Sequence, residues 1–265
     1  MMAYHSFIYE ESDGIATIRL NDPGRLNALT FETYADLERF FAEAAQEDTV
    51  KVVILTGTGK GFCSGGSVHE IIGKLIEMKT EELEGFTRMT CNVVKNMRAL
   101  KKPIIAAVNG IAAGAGAMLA LASDIRVVSD QAKFAFLFTK VGLSGADMGA
   151  LYLLPKIVGQ GKAAELLFLG ESIDAQEALR IGLANRVVAH DKLLEEAYGL
   201  AHKFSAGPLY GIGVTKELLE RETTMTLNDA LELEAVAQAK CMETPDFQEG
   251  YKAFVEKRKP QFNRG

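Results

Sequence analysis

Apolar and polar positions along the first half of the chain switch between two periods. GIATIRLN (14–21) alternates residue by residue, as a strand does. LTFETYADLERFFAEAAQE (29–47) carries its apolar residues at helical spacing, with Thr30 placed to act as the N-cap. VKVVILTG (50–57) is apolar through its middle, the mark of a strand covered on both faces in a parallel sheet. A loop and a helix then run to about Leu100, and PIIAAVNG (103–110) and DIRVVSD (124–130) supply two further strands. From about residue 160 the pattern turns helical, through GKAAELLFLG, DAQEALRIGL, KLLEEAYGLAHKFS, PLYGIGVTKELLERE, MTLNDALELEAVAQAKCME and PDFQEGYKAFVEKRK. Strands with crossover helices first and a helical tail last predict an α/β core with a helical appendage. No fixed-period repeat and no low-complexity linker is visible.

Composition narrows the possibilities. A chain of 265 residues can bury one large core, or a main domain plus an appendage. With 48% hydrophobic and 24% charged residues it has the make-up of an ordinary soluble protein. The net charge of −6 argues against a nucleic-acid partner, which needs a surplus of Lys and Arg. Anionic ligands held by local basic groups and backbone N–H stay possible. Cys63, Cys91 and Cys241 form no CxxC pair, and His5, His69, His190 and His202 show no metal-ligand spacing. A reducing, cytoplasmic setting and no metal are therefore expected. The start, MMAYHSFIYEESDG, has no charged region leading into an apolar one, so no signal peptide is expected. Pro103 to Ala122 is apolar but for Asn109 and is nominally long enough to span a bilayer. Its NG turn signal and small residues instead divide it into a short strand and a helix, so no membrane span is expected.

Two glycine-rich loops follow strands: TGTGKGFCSGGSV (56–68) and NGIAAGAGAML (109–119). Neither they nor a nearby stretch completes a familiar motif. A dinucleotide fingerprint fails because Leu119 holds its third glycine position. A P-loop at GQGK (159–162) fails because Lys156 stands at its first glycine. A nucleophile elbow at GLSGA (142–146) fails at Ala146. Another use is a pair of backbone N–H donors converging on one carbonyl oxygen, an oxyanion hole helped by the N-terminal dipole of the helix that opens the second loop. From spacing alone, close-packed turns account for the glycines equally well.

Taken together, NDPGRLNALT, VVILTGTGKGFCSGGSV, KKPIIAAVNGIAAGAGAMLALASDIRVVS, GKAAELLFLGESIDAQEALRIGLANRVV and EGYKAFVEKRKPQF resemble the crotonase (enoyl-CoA hydratase/isomerase) family, in family order and over nearly the whole chain. The resemblance implies a crotonase-like α/β fold. Residues 1–200 would form a spiral core of ββα repeats, and residues 201–265 a helical region driving trimers or hexamers. It implies an acyl-CoA thioester as the ligand, with coenzyme A part of the substrate and no separate cofactor. The first oxyanion donor would be Gly66 and the second Ala115, between Gly114 and Gly116. Only the backbone N–H is used, so alanine serves. Arg25, Ala28 and the segment Ser64, Gly65, Gly66, Ser67, Val68 would line the CoA channel. Phe254 and Lys257, expected on the last helix, would reach the nucleotide end, that of the same or of a neighbouring subunit. Lys257 reads equally as a solvated charge.

The departures from the family pattern carry the chemistry. Hydratases of this family deliver water with two glutamates, and the matching positions here are Met118 and Phe138. Neither side chain transfers a proton, so two-glutamate hydration is not expected, and both would instead shape an apolar acyl pocket. Asp147 stands near where some relatives keep a working aspartate, and is either the acid/base or the cap of a helix begun by Met148. His69 and Glu70 read as a solvated helix start more than as pocket groups, and Cys63 as packing. A dehalogenase-like role would want a histidine where Cys91 stands. The expectation is double-bond isomerisation or atypical hydration of an acyl-CoA thioester. The alternatives are a CoA-thioester hydrolase, a C–C bond lyase or synthase, and a non-catalytic acyl-CoA-binding paralogue.

Overall fold

The computed structural model describes residues 4–263. The chain opens with a hairpin of β1 (Phe7–Ser12) and β2 (Ile15–Leu20), turned by Asp13 and Gly14, both at positive φ. α1 (Phe31–Glu43) follows. Its first turn is closed by a capping box in which the Thr30 and Thr33 side chains each satisfy the other's backbone N–H.

Three units of strand, strand and helix come next. The first is β3 (Val52–Gly57) and β4 (Gly61–Cys63), a π-helical turn at Val68–Ile72, the single turn α2 (Gly73–Leu75), and α3 (Thr80–Ala99). The second is β5 (Ile104–Val108), β6 (Ile111–Ala113) and α4 (Ala115–Ala122). The third is β7 (Ile125–Ser129), β8 (Lys133–Ala135), and the helices α5 (Ala150–Val158) and α6 (Gln160–Leu169). In each unit the first strand joins one sheet and the second strand joins another, so every repeat advances both sheets by one position. This is the spiral of ββα units that the resemblance implied.

The chain then adds β9 (Ser172–Asp174), α7 (Ala175–Arg180), β10 (Arg186–Val188) and α8 (Leu193–Ser205). The larger sheet has the order β1-β2-β3-β5-β7-β10 and is parallel except at the β1 edge. The smaller runs β4-β6-β8-β9, with β9 antiparallel. Three last helices complete the chain: α9 (Leu209–Arg221), α10 (Leu227–Met242) and α11 (Pro245–Glu256).

The two-residue period of the central strands explains why they read as continuous apolar runs. Val52, Ile54, Ile105, Ala107 and Val127 face α8, packing on Leu193, Ala197, Leu200 and Ala201. Val53, Leu55, Ala106, Val108 and Val128 face the main core, with Phe40, Phe41, Phe62, Phe134 and Phe136. Both faces are therefore buried, and each fully buried Val, Leu or Ile contributes about 1.5–3 kcal/mol.

Several details differ from the sequence reading. β4, β6, β8, β9 and β10 add to the four strands expected, because three-residue strands give no measurable period, and so does the six-residue β1, whose second half, EES, is polar and exposed. The tail is thus not purely helical, since β9 and β10 interrupt it. α5 starts at Ala150, not Met148, and has Gly149 as its N-cap. The boundary expected at residue 200 falls inside α8, a helix committed to the large sheet. The apolar run 103–122 divides into β5, β6 and α4. Among the described residues no helix is long and apolar enough to cross a membrane.

Candidate active site

Both glycine loops leave the smaller sheet, the first after β4 and the second after β6. Two buried asparagines pin the first. Asn27 accepts from the Asp22 N–H at 2.8 Å and donates to the Gly61 carbonyl at 2.7 Å. Asn109 accepts from the Gly57 N–H at 3.1 Å and donates to the Gly59 and Gly61 carbonyls, each at 2.9 Å. Sequence reasoning used NG only as a turn signal and assigned neither asparagine a role. Their signal was weak: an Asn in a turn seldom reveals that it is buried.

Beyond β4 the chain lies along residues 26–29. The Ser64 N–H donates to the Leu26 carbonyl at 3.0 Å, Leu29 N–H to the Gly65 carbonyl at 2.8 Å, and Ser67 N–H to the Leu29 carbonyl at 2.8 Å. The Gly66 N–H has no backbone acceptor among the described residues. In the second loop the Gly114 N–H donates to the Ala135 carbonyl at 2.8 Å and Gly114 takes a φ of 51°, which favours glycine. Ala115 then becomes the first residue of α4, and its N–H is also without a backbone acceptor among the described residues.

The loops touch so closely that glycine is required. A Cβ on Gly65 would lie 2.9 Å from the Ala113 carbonyl oxygen and 3.5 Å from the Ala115 nitrogen. A Cβ on Gly116 would lie 2.1 Å from the Cys63 carbonyl oxygen, an impossible approach. The glycines thus bring two free N–H groups, Gly66 and Ala115, onto adjoining loops. Free N–H donors on adjoining loops, one of them at a helix N-terminus, can stabilise negative charge on a bound carbonyl oxygen.

Asp147 lies partly buried in the loop before α5. It does not cap that helix, whose first turn has no side-chain cap. Burial pushes its carboxyl above the ordinary 3.8, with the Met148 backbone N–H pulling the other way. Tyr34, on the inner face of α1, is 3% exposed, and its ring packs edge-on against Phe86. Its hydroxyl is 3.8 Å from where a Cβ on Gly66 would stand. Burial pushes this phenol well above its usual value, and Cys63 and Asp147 are near enough to push it further. Tyr34 therefore borders the Gly66 loop with Asp147 in its surroundings, and sequence reasoning did not single it out.

The remaining expected residues separate into three groups. Met118 and Phe138 are 0% and 5% exposed and belong to the main core. Arg25 is exposed and held by Asp22 at 2.6 Å and by Glu70, while the Ser64 hydroxyl donates to the Arg25 carbonyl at 3.0 Å. With half-buried Ala28 and exposed Val68, these residues border the first loop. His69 is exposed beside them, at the π-helical turn that Ser67 caps. Phe254 and Lys257 are not brought to the loops within this chain. Lys257 lies just past the end of α11 at a φ of 54°. Phe254 is 85% exposed and lines a separate cavity of about 1180 Å³ between α9, α10, α11 and the core. Burial raises the Cys63 thiol to about 12, which leaves it a neutral packing group. Cys91 is exposed on α3. Among the described residues no group of three or more His, Cys, Asp or Glu side chains is placed to hold a metal ion.

Comparison with known proteins gives a consistent outcome. The profile of the family described as Enoyl-CoA hydratase/isomerase matches residues 10–265. The chain is 36% identical to the 1,2-epoxyphenylacetyl-CoA isomerase of Escherichia coli K12, covering 94% of this chain and 95% of that one. It is 34% identical to the short-chain-enoyl-CoA hydratase of Clostridium acetobutylicum, covering 97% of each. A crystal structure from Streptomyces coelicolor A3(2), described as a candidate enoyl-CoA hydratase, superposes with a TM-score of 0.97 at 48% identity, over 99% of this chain and 96% of that one.

Proposed function

The chain belongs to the enoyl-CoA hydratase/isomerase family, and from that premise we propose that it shifts a carbon–carbon double bond in an acyl-CoA thioester, with Asp147 as the proton carrier. The thioester oxygen would accept hydrogen bonds from the Gly66 and Ala115 N–H groups, which stabilise the enolate formed when a neighbouring carbon loses its proton. The Asp147 carboxylate takes that proton and returns it to another carbon of the same acyl chain. The product has the atoms of the substrate, and the enzyme ends as it began. Coenzyme A enters as part of the substrate, and no other cofactor is required. Trimeric or hexameric assembly belongs to the same proposal, and the exposed apolar side chains Phe168, Leu227, Leu231 and Phe254 support it.

The observation that carries this reading is the partly buried carboxylate of Asp147. Asp147 is partly buried, has its pKa raised and stands within electrostatic reach of a tyrosine that borders the Gly66 loop. The positions that would hold two glutamates for hydration are occupied by Met118 and Phe138, both buried and apolar. One proton carrier suffices for isomerisation, whereas adding water across a double bond asks for a second group to position the water.

The test is mass spectrometry of 2-enoyl-, 3-enoyl- and dienoyl-CoA thioesters incubated with the protein in heavy water. Deuterium uptake with no gain of water is expected. Asp147→Asn is expected to lower the exchange rate by about 10²–10⁴-fold while still binding the thioester. A mass gain of one water would replace isomerisation by hydration, and free CoA would replace it by hydrolysis. Thioesters that bind the wild type and return unchanged would favour a second reading, acyl-CoA binding without turnover, which the loss of both glutamate positions also supports.

A further inference from the structure

Tyr34 carries a hydroxyl at the site that the proposed proton transfer does not use. Its ring is fixed from two sides: α1, capped at Thr30, sets the backbone, and Phe86 of α3 packs edge-on with ring centroids 5.6 Å apart. The side chain is only 3% exposed and its hydroxyl has no hydrogen-bond partner among the described residues, yet the oxygen is not one of the fully buried, unpartnered atoms, so it keeps contact with solvent. Tyr198, by contrast, spends its hydroxyl on Thr17 at 2.9 Å, and Tyr4 on Glu43 at 3.0 Å. A hydroxyl that reaches solvent at the tip of a buried, fixed ring can exchange water for an oxygen of a bound ligand.

The hydroxyl lies beside Gly66, 3.8 Å from the position a Cβ there would take. It is therefore set beside the first of the two donors, with Asp147 near enough to push the phenol up, so a thioester held by the Gly66 N–H would bring its acyl group close to this hydroxyl. Burial keeps the phenol protonated at neutral pH, so it can donate but cannot serve as a base.

We propose that Tyr34 is a specificity residue whose hydroxyl donates a hydrogen bond to an oxygen carried on the acyl chain, so that the preferred substrates are oxygen-bearing acyl-CoA thioesters. The inference rests on the thioester reading above and deepens it by naming a substrate class. A site built to donate to an oxygen rejects the analogue lacking it, because the buried donor is then left unpaired. A plain alkyl or alkenyl chain would take solvent from the Tyr34 hydroxyl and give it no acceptor in return.

The experiment measures affinity and heavy-water exchange for short acyl-CoA thioesters with one hydroxyl on the second, third or fourth carbon, each beside its deoxy counterpart, using wild type, Tyr34→Phe and Tyr198→Phe. At least one hydroxylated thioester is expected to be preferred about tenfold by the wild type. Tyr34→Phe brings that ratio to about one, chiefly by weakening the hydroxylated member. Tyr198→Phe, which removes a hydroxyl bonded elsewhere, keeps the ratio. Tyr34→Phe also melts no lower than wild type, since no intramolecular bond is lost. A wild-type ratio of one at every position overturns the inference. So does a Tyr34→Phe effect equal on both members of each pair, which would make the hydroxyl a holder of water or of the thioester oxygen. If neither member of any pair binds the wild type, the thioester reading falls and takes this one with it. Binding of both without discrimination defeats the Tyr34 inference alone.

Discussion

At the scale of single residues, Asp147 sets function against stability. Its carboxyl is raised above 3.8 by burial, so the folded chain holds the proton more tightly than the unfolded chain does. Stability conferred at low pH is then lost as pH rises from the unfolded value through the raised one. On the proposed function activity moves the other way, because Asp147 would have to start as the carboxylate to take a proton. The profile of kcat/KM against pH should therefore show an acid limb above 3.8. Asp147→Asn should abolish that limb and lower turnover, while raising the melting temperature at neutral pH. A variant that is both inactive and less stable would return Asp147 to a structural role. Sequence alone left catalysis and helix capping open for this residue. The structure removes the cap, because α5 begins at Ala150 behind Gly149.

At the scale of elements, the start of α4 is where a local rule meets the site. Ala115 is the first helical residue, a position that tolerates proline because its N–H has no intrahelical partner. Ala115→Pro deletes the donor and fills the space before it, and is expected to cost about 10²–10³-fold in turnover with the circular dichroism spectrum preserved. Ala115→Gly keeps the N–H and should stay within a few-fold of wild type, so the pair separates the backbone donor from the side chain. Gly116→Ala tests the loop contact itself. Its Cβ would meet the Cys63 carbonyl at 2.1 Å, so this variant should fail through folding, with a lowered melting temperature.

At the scale of the whole molecule, the C-terminal helices are joined to the spiral by a buried charge. Lys216 of α9 is 8% exposed and donates to the Met97 carbonyl at 3.2 Å, the Lys102 carbonyl at 3.0 Å and Asp124 at 2.7 Å. One ammonium thus ties α9 to the end of α3 and to the approaches of β5 and β7. Arg98 reinforces the tie, reaching Glu220 at 2.8 Å and Asp124 at 3.4 Å. Lys216→Met leaves two carbonyls and part of Asp124 without their donor, and is expected to destabilise the fold by about 3 kcal/mol, measured by urea unfolding. An unchanged midpoint would mean that Arg98 alone carries the connection.

The chain by itself determined what depends on local order. The two-residue period of 15–20, 52–57, 104–108 and 125–129 and the capping signal at Thr30 are properties of neighbouring residues, and they carry the α/β core and the family pattern. The expectation that two-glutamate hydration is absent likewise came from the identities of Met118 and Phe138, at the positions the resemblance assigns to the glutamates. What only the tertiary structure decided depends on contacts between distant segments. The spiral left no sequence repeat because α3 has 20 residues and α4 has 8, so equivalent strands begin at unequal intervals. Asn27 and Asn109 became loop anchors only once 57–63 had packed between them. Tyr34 sits at helical spacing like any core aromatic. Only the approach of the Gly66 loop and Asp147 from elsewhere in the chain turned its hydroxyl into an unspent donor, since burial and partnership of a polar group are set by non-local packing.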